Sequence, residues 1–105
     1  MYRPLPPSVT IATSDIHGLG LFAVKVIPGD VEIGISHIRD SRFEHGWIRT
    51  PLGAFYNHSD EPNCKKAVSF CGRFLYLTAL REIEPGEEIT VKYTLYELSE
   101  PKATP

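Results

Sequence analysis

The stretch FYNHSDEPNC, residues 55–64, begins with two aromatic residues, continues with a run of polar side chains and ends in Pro-Asn-Cys. Asn, Ser, Asp and Pro are the residues that turns prefer, so the stretch could be a surface turn. The same run is dense in hydrogen-bond donors and acceptors, so it could also form the loop of a ligand site. The stretch alone does not distinguish a surface turn from a ligand-binding loop. The rest of the sequence is needed to decide between them.

The composition and charge of the chain restrict its class and its partners. With 105 residues and 42% hydrophobic content, it is expected to form one folded globular domain. Its net charge is -2 and its pI is about 6.0, whereas nucleic-acid-binding proteins usually show a basic face. Nucleic acid is therefore not expected as a direct partner. A lysine-rich protein tail is compatible with this charge balance, although the balance does not single it out.

The sequence gives no sign of a membrane segment. No stretch reaches the roughly 18 apolar residues that span a bilayer, so no membrane association is expected. The first residues, MYRPLPPSV, contain three prolines and no apolar core, unlike a signal peptide. These features predict an intracellular, soluble protein, which would be cytoplasmic if the source is bacterial.

The two cysteines, Cys64 and Cys71, could face each other across a hairpin. Two free thiols are favoured over a disulfide, because nothing indicates export to an oxidising compartment. Both are interpreted as small buried hydrophobic residues rather than nucleophiles. The two cysteines and four histidines are too dispersed for a zinc pattern such as paired CxxC motifs, so no metal site is expected.

Strand signals dominate between the chain ends. Runs that are β-branched or alternate between apolar and polar residues predict strands over residues 9–13, 21–26, 31–38, 67–70, 74–80 and 89–93. Residues 71–73 join two of these strands as a hairpin. The one helix candidate is a turn or two within residues 40–49, and Gly46 weakens it. Many short strands separated by turn signals predict a mostly β fold.

Turn and end signals divide the chain further. The Pro-Gly at residues 85–86 has the signature of a type II turn, and the Pro-Gly-Asp at residues 28–30 is interpreted as the same device. Residues 1–8 are rich in proline and residues 99–105 are polar with two prolines, so both are expected to be flexible segments. Residues 9–98 remain as a single folded domain.

Two further stretches carry unusual residues. HGLGLFA, residues 17–23, contains a Gly-x-Gly that lets the backbone turn sharply and approach a ligand, although by itself such a pair is more often a tight turn between strands. PGEEITVKY, residues 85–93, ends an apolar strand in Tyr93, which on its own is more often a packing residue than a catalyst. The acidic run is interpreted as a solvated face; it consists of Glu82, Glu84, Glu87 and Glu88.

In this order, HGLGLFA, FYNHSDEPN and PGEEITVKY resemble the motifs of the SET-domain protein lysine methyltransferases. The resemblance runs from about residue 10 to residue 96, and its middle motif is the most specific. It implies the SET fold, with several small sheets of short strands around a knot-like, threaded C-terminal segment. Asp60 stands where zinc-containing members have a cysteine, and no cysteine follows Cys71. The resemblance therefore implies a minimal, stand-alone SET domain without zinc-binding modules.

The resemblance also implies S-adenosylmethionine as the cofactor and assigns roles by position. Cofactor binding falls to Gly18, Leu19, Gly20, Asn57 and His58, with His58 acting through its backbone more than its ring. Tyr93 takes the position of the catalytic tyrosine. Weaker candidates for the wall of a lysine channel are the aromatic residues Phe55, Tyr56 and Tyr96. The short polar side chains of Ser59 and Asn63 are expected to hold the loop together.

The activity implied by the resemblance is methyl transfer to the side-chain amine of a lysine in a protein substrate. Two alternatives stay open: a catalytically inactive SET-like binding module, and a β-rich adaptor that is similar only in architecture. The segment between residues 38 and 55 is short, in a region where larger members build their substrate-recognition surface. One hypothesis is therefore that a second copy of the chain, in a homodimer, completes the channel.

Overall fold

The computed structural model describes residues 5–43 and 46–93. The channel candidate Tyr96 and the terminal segment 99–105 lie outside these residues. The elements in the described part are β1 (Val9–Thr13), β2 (Leu19–Ala23), β3 (Glu32–Arg39), β4 (Trp47–Arg49), α1 (Pro51–Phe55), β5 (Asn57–His58), β6 (Cys64–Val68), β7 (Phe74–Ala79) and β8 (Thr90–Val91). No helix in this part is long and apolar enough to cross a membrane.

The strands form three small sheets, so the predicted mostly β fold is confirmed. β1 and β2 pair in antiparallel fashion, and a four-stranded antiparallel sheet has the order β4-β3-β7-β6. The third sheet consists of β5 and β8, which run parallel, with Asn57 opposite Thr90 and His58 opposite Val91. This parallel pair brings the middle motif beside the last one.

The predicted hairpin is confirmed, while the predicted last strand is shorter than expected. β6 and β7 pair from Cys64 opposite Ala79 to Val68 opposite Leu75. By contrast, the strand predicted over residues 89–93 is reduced to Thr90–Val91. Its neighbour β5 has only two residues, so the ladder ends there, and the chain continues to Tyr93, whose N–H is bonded to a side chain instead.

The prediction of a helix within residues 40–49 is wrong. Residues 47–49 form β4, and the helix α1 begins immediately after it. Thr50 is the N-cap of α1, its hydroxyl accepts a hydrogen bond from the N–H of Gly53 at 3.4 Å, and Pro51 occupies the first turn. A capping threonine followed by proline is a favourable helix start, because proline has no N–H to leave unpaired there.

The two Pro-Gly turns, which look alike in the sequence, differ in their backbone. Gly86 has φ 90°, and the N–H of Glu87 donates to the carbonyl of Glu84 at 3.1 Å, as a type II turn requires. In the other turn the positive φ falls on Asp30, at 65°, and not on Gly29. Aspartate tolerates this left-handed conformation better than most residues. The interpretation of residues 28–30 as the same kind of turn is therefore wrong.

The core lies between the sheets and beneath α1. It is made of Val9, Leu21, Ala23, Ile27, Leu52, Tyr56, Cys64, Leu77, Ala79, Ile83, Ile89 and Val91. Each fully buried Leu or Ile in it contributes about 1.5–3 kcal/mol relative to an exposed one. Leu5 also packs against this core, so part of the predicted flexible segment 1–8 has contacts with the domain.

The two cysteines are free thiols, as predicted, but their environments differ. Cys64 is buried, and desolvation raises the pKa of its thiol to about 12. Cys71 is exposed in the turn between β6 and β7, so its interpretation as a buried residue is wrong. Hydrogen bonds from the Ser69 hydroxyl and the Arg73 main chain lower the pKa of Cys71.

Candidate functional site

The three motifs meet around the side chain of Asn57. This amide is buried, with 2% of the residue exposed. Its Nδ2 lies near four acceptors: the Glu88 carboxylate at 2.7 Å, the Ser14 hydroxyl at 3.0 Å, and the carbonyls of His17 at 3.2 Å and Leu19 at 3.4 Å. An amide nitrogen has two hydrogens, so two of these bonds form at a time. The surroundings of Asn57 are thus rich in acceptors.

Glu88 is a site residue that the sequence interpretation missed. Its carboxylate accepts hydrogen bonds from the Ser14 hydroxyl, which lies 2.8 Å from both carboxylate oxygens, and from Asn57. Its main chain forms an isolated bridge with Phe22 of β2. Glu88 therefore faces the meeting point of the motifs, and its interpretation as part of a solvated face is wrong.

The two glycines of the Gly-x-Gly serve different purposes. Gly18 has φ 49°, a left-handed backbone that favours glycine, and the N–H of Ser14 donates to its carbonyl at 2.8 Å. Gly20 leaves room for the Glu88 carboxylate, because a Cβ there would collide with the carboxylate in its present position and lie 3.1 Å from the Cβ of Ser14. The first glycine therefore shapes the loop, and the second lets the carboxylate approach.

Ser14 orders the loop that precedes the glycines. Its hydroxyl oxygen accepts hydrogen bonds from the main-chain N–H groups of Ile16 at 2.9 Å and His17 at 3.4 Å, while its proton goes to Glu88. This is a local serine turn, in which a hydroxyl replaces a main-chain acceptor. No signal in the sequence singled out Ser14, because a serine before Asp and Gly is ordinary in turns.

His58 of β5 and Tyr93, two residues after β8, form a second contact group. The Nδ1 atom of His58 accepts a hydrogen bond from the Tyr93 main-chain N–H at 2.9 Å, and its Nε2 lies 3.1 Å from Oδ1 of Asp60. The His58 and Tyr93 rings lie 5.2 Å apart between centroids. The His58 ring therefore makes contacts within the protein that the sequence interpretation did not anticipate.

The Tyr93 hydroxyl points back toward the strand pair and donates to the carbonyl of Tyr56 at 2.9 Å. The rings of these tyrosines meet edge to face, with centroids 5.8 Å apart, a favourable aromatic arrangement. Tyr56 is itself buried, and Phe55 at the end of α1 is half-buried against the core. Of the three channel candidates, Tyr56 thus contacts Tyr93 directly, and Phe55 precedes it in the chain.

Asn63 ties the loop after β5 to the segment that carries Glu88. Its Nδ2 donates to the Glu88 carbonyl at 2.7 Å, and its Oδ1 accepts from the Thr90 N–H at 2.9 Å. Ser59 contributes within the loop, since its hydroxyl accepts from the Glu61 N–H at 3.1 Å. Both residues bond main-chain groups, as the sequence predicted for short polar side chains in a loop.

The described residues contain no group of three or more His, Cys, Asp or Glu side chains placed to hold a metal ion. The charges at the site are those of Glu88 and Asp60, the first half-buried and the second exposed. Because a carboxylate and main-chain carbonyls surround Asn57, the site favours a positively charged group over an anion.

Curated relatives match part of the chain. SMYD3 of mouse, named a histone-lysine N-methyltransferase, is 49% identical over 43 residues, which are 41% of this chain and 10% of SMYD3. Human SMYD3, of the same name, is 46% identical over 43 residues, with the same coverage. The chain thus spans about a tenth of the length of these relatives.

Solved structures match the fold over most of the chain. A Plasmodium falciparum protein provisionally named a histone methyltransferase superposes with a TM-score of 0.70 at 22% identity, covering 84% of this chain and 94% of that one. The methyltransferase domain of human PR domain-containing protein 2 superposes with a TM-score of 0.64 at 20% identity, covering 86% and 79%. The SET-domain family model matches residues 36–94, more than half of the sequence. The chain belongs to the SET-domain family.

Proposed function

We propose that this chain is an S-adenosylmethionine-dependent methyltransferase that modifies a lysine side chain of a protein. The single observation that carries the proposal is the convergence of the Gly-x-Gly loop, Asn57 and Glu88 at one place, beside the strand pair that leads to Tyr93. The relatives named histone-lysine N-methyltransferases support the same reaction.

The residues around Asn57 fit the cofactor by their chemistry. S-adenosylmethionine, when bound, supplies a methyl group on a positively charged sulfur and also carries an ammonium group. The acceptors near Asn57 suit such a cation, and the Glu88 carboxylate adds a negative charge. We assign cofactor binding to Gly18, Leu19, Gly20, Asn57 and His58. Since Asn57 is buried, a ligand atom that reaches it has to enter among these acceptors.

Tyr93 is the residue to which we assign catalysis. A lysine amine has to be neutral to act as a nucleophile, yet its pKa in water is about 10.4. A site that removes water from the ammonium favours the neutral form. The Tyr93 hydroxyl donates its proton to the Tyr56 carbonyl, and the oxygen of a hydroxyl that donates can also accept hydrogen bonds. We propose that it accepts a hydrogen bond from the amine and orients the amine nitrogen, without introducing a full charge.

The substrate class that we propose is a protein with an accessible lysine. The aromatic residues Phe55 and Tyr56 lie next to the strand pair and, with Tyr96, are proposed as walls for the apolar stem of that lysine. A second copy of the chain is proposed to complete the walls. Sedimentation velocity at micromolar concentration tests this part, because a species that stays monomeric while fully active contradicts it.

Calorimetric titration with S-adenosylmethionine tests the cofactor site without knowledge of the substrate. We expect saturable binding that Asn57→Ala weakens by at least about tenfold, because the replacement removes the amide that joins the loop to Glu88. Glu61→Gln, on an exposed residue of the next loop, is the matched control and should bind as the parent chain does. No binding at millimolar cofactor contradicts the proposal.

Turnover is tested separately, with purified core histones as methyl acceptor and radiolabelled cofactor. Tyr93→Phe removes the hydroxyl and keeps the ring, so we expect cofactor binding to stay within about twofold and turnover to fall at least about tenfold. Normal turnover in this variant removes Tyr93 from the mechanism. Binding of the cofactor without turnover by the parent chain on any acceptor favours the alternative, a SET-like binding module.

A further inference from the structure

The imidazole of His58 lies between a main-chain N–H group and a carboxylate. Its Nδ1 accepts from the Tyr93 main-chain N–H at 2.9 Å, and its Nε2 lies 3.1 Å from a carboxylate oxygen of Asp60. The His58 side chain is 29% exposed, whereas that of Asp60 is 85% exposed. The Tyr93 contact is thus the more sheltered of the two.

These contacts fix the tautomer of the neutral ring. A main-chain N–H can only donate, so the Nδ1 that faces Tyr93 has to carry a lone pair. The neutral ring then bears its proton on Nε2, where it donates to Asp60. A second proton would have to bind Nδ1. The Nδ1–H group of His58 and the main-chain N–H of Tyr93 would then face each other with no acceptor between them. The imidazolium is therefore incompatible with the Tyr93 hydrogen bond.

We propose that His58 is a positioning residue for Tyr93, which it holds in place only while its imidazole is neutral, so that acid releases the Tyr93 main chain and slows methyl transfer. The effect on methyl transfer rests on the proposed function, whereas the link between the two residues does not. The Tyr93 hydroxyl is bonded to Tyr56 from the same backbone position, so loss of the main-chain anchor also loosens the hydroxyl.

Other charged groups near the ring do not replace this link. On the loop of His58 these are Asp60 and Glu61, both exposed, and on the segment after β8 the neighbour of Tyr93 is Lys92, also exposed. The Asp60 side chain is largely exposed, so solvent screens its charge. Because Asp60 already accepts the Nε2 proton from the neutral ring, protonation of Nδ1 creates no new bond to it.

Hydrogen exchange of the Tyr93 amide, followed by NMR without cofactor between pH 5 and 8, tests the link directly. After correction for intrinsic exchange, we expect protection in the parent chain to fall about tenfold toward acid, the effect of losing one hydrogen bond of ordinary strength. In His58→Asn the amide oxygen takes the place of Nδ1 and does not titrate, so protection should not depend on pH. Asp60→Asn keeps Nδ1 and should retain the acid loss.

Two results overturn the link: protection of the parent chain that is constant with pH, or an equal acid loss in His58→Asn. If His58→Asn fails to fold, the ¹⁵N shifts of the parent ring decide, since a proton on Nδ1 at neutral pH overturns the tautomer. The turnover ratio of the parent chain to His58→Asn should also fall toward acid. If the amide responds as expected but no methyl transfer occurs on any acceptor, the link stands and the proposed function fails.

Discussion

Replacing Asn63 with alanine removes the side chain that fastens the loop after β5 to the segment around Glu88. The change deletes the bond to the Glu88 carbonyl at 2.7 Å, the bond from the Thr90 N–H at 2.9 Å and a longer one from the Thr90 hydroxyl at 3.4 Å. Asn63 and Thr90 are both buried, so water does not easily replace the missing partner. Two main-chain groups are left unsatisfied by one substitution.

The expected loss follows from those two groups. An unsatisfied buried donor or acceptor costs about 1–3 kcal/mol. Glu88 is only half-buried, so the cost of leaving its carbonyl unsatisfied is at the low end of this range. We therefore expect the free energy of unfolding to fall by about 3 kcal/mol in total. Against a total of about 5–15 kcal/mol for a typical domain, this is a large fraction. The midpoint of thermal unfolding should fall by about 12 °C or more.

Urea unfolding followed by circular dichroism measures this loss. Ser59→Ala serves as the matched control, since it deletes a single hydrogen bond within the half-buried loop and should cost less than about 1 kcal/mol. Equal slopes of free energy against urea are needed for the comparison. A loss below about 0.5 kcal/mol in Asn63→Ala would refute the reasoning, because two buried groups could not then have lost their partners.

Three further predictions concern the charge at the site and the two thiols. Glu88→Gln keeps the shape but removes the charge that accepts from Ser14 and Asn57, so calorimetry should show weaker S-adenosylmethionine binding, by about tenfold, and unchanged affinity would exclude Glu88 from the site. A thiol reagent at neutral pH should modify only exposed Cys71 in the native protein and both cysteines in denaturant. Burial raises the pKa of Cys64 from its ordinary value of 9.0 to about 12, so the contribution of this thiol to stability is complete below pH 9.0 and declines above it, which chemical unfolding at pH 8 and 10 checks.

Local patterns allowed the sheets to be predicted. The hairpin of β6 and β7 joins neighbouring segments through a short turn, so its sequence carries both the alternation and the turn residues. The three motifs likewise kept their residue types and order, which sufficed for the family. The pairing of β5 with β8 could not be predicted from these patterns, because it joins segments that are far apart in the sequence.

The position of Glu88 shows why the site was only partly predictable. In sequence it is one of four glutamates in a polar run, and nothing local separates it from Glu87. Successive residues of an extended segment point to opposite sides. Glu87 therefore pairs with Arg81 at 2.9 Å on the surface, while Glu88 turns toward Asn57. Which of the two faces inward depends on the register against β2, a property of the folded chain.

The helix prediction failed for a different reason. The signal for its start, Thr50 followed by Pro51, was present in the sequence, but the helix was predicted within residues 40–49, just before it. A helix of five residues is too short to show a period of its own. Its cap was therefore the only local evidence for it.

The parallel pairing of β5 with β8 has a consequence for how the chain acquires its site during synthesis. Parallel strands need a crossover connection, and here residues 59–89, including the whole β6–β7 hairpin, separate the two partners. Closing so long a connection is entropically costly and comes after the local hairpins have formed. A nascent chain that has not yet released Glu88 from the ribosome can therefore already hold its hairpin sheet while Asn57 still lacks its carboxylate partner. We therefore expect the candidate site to form late in folding, so that defects in this step leave a largely folded protein without the site.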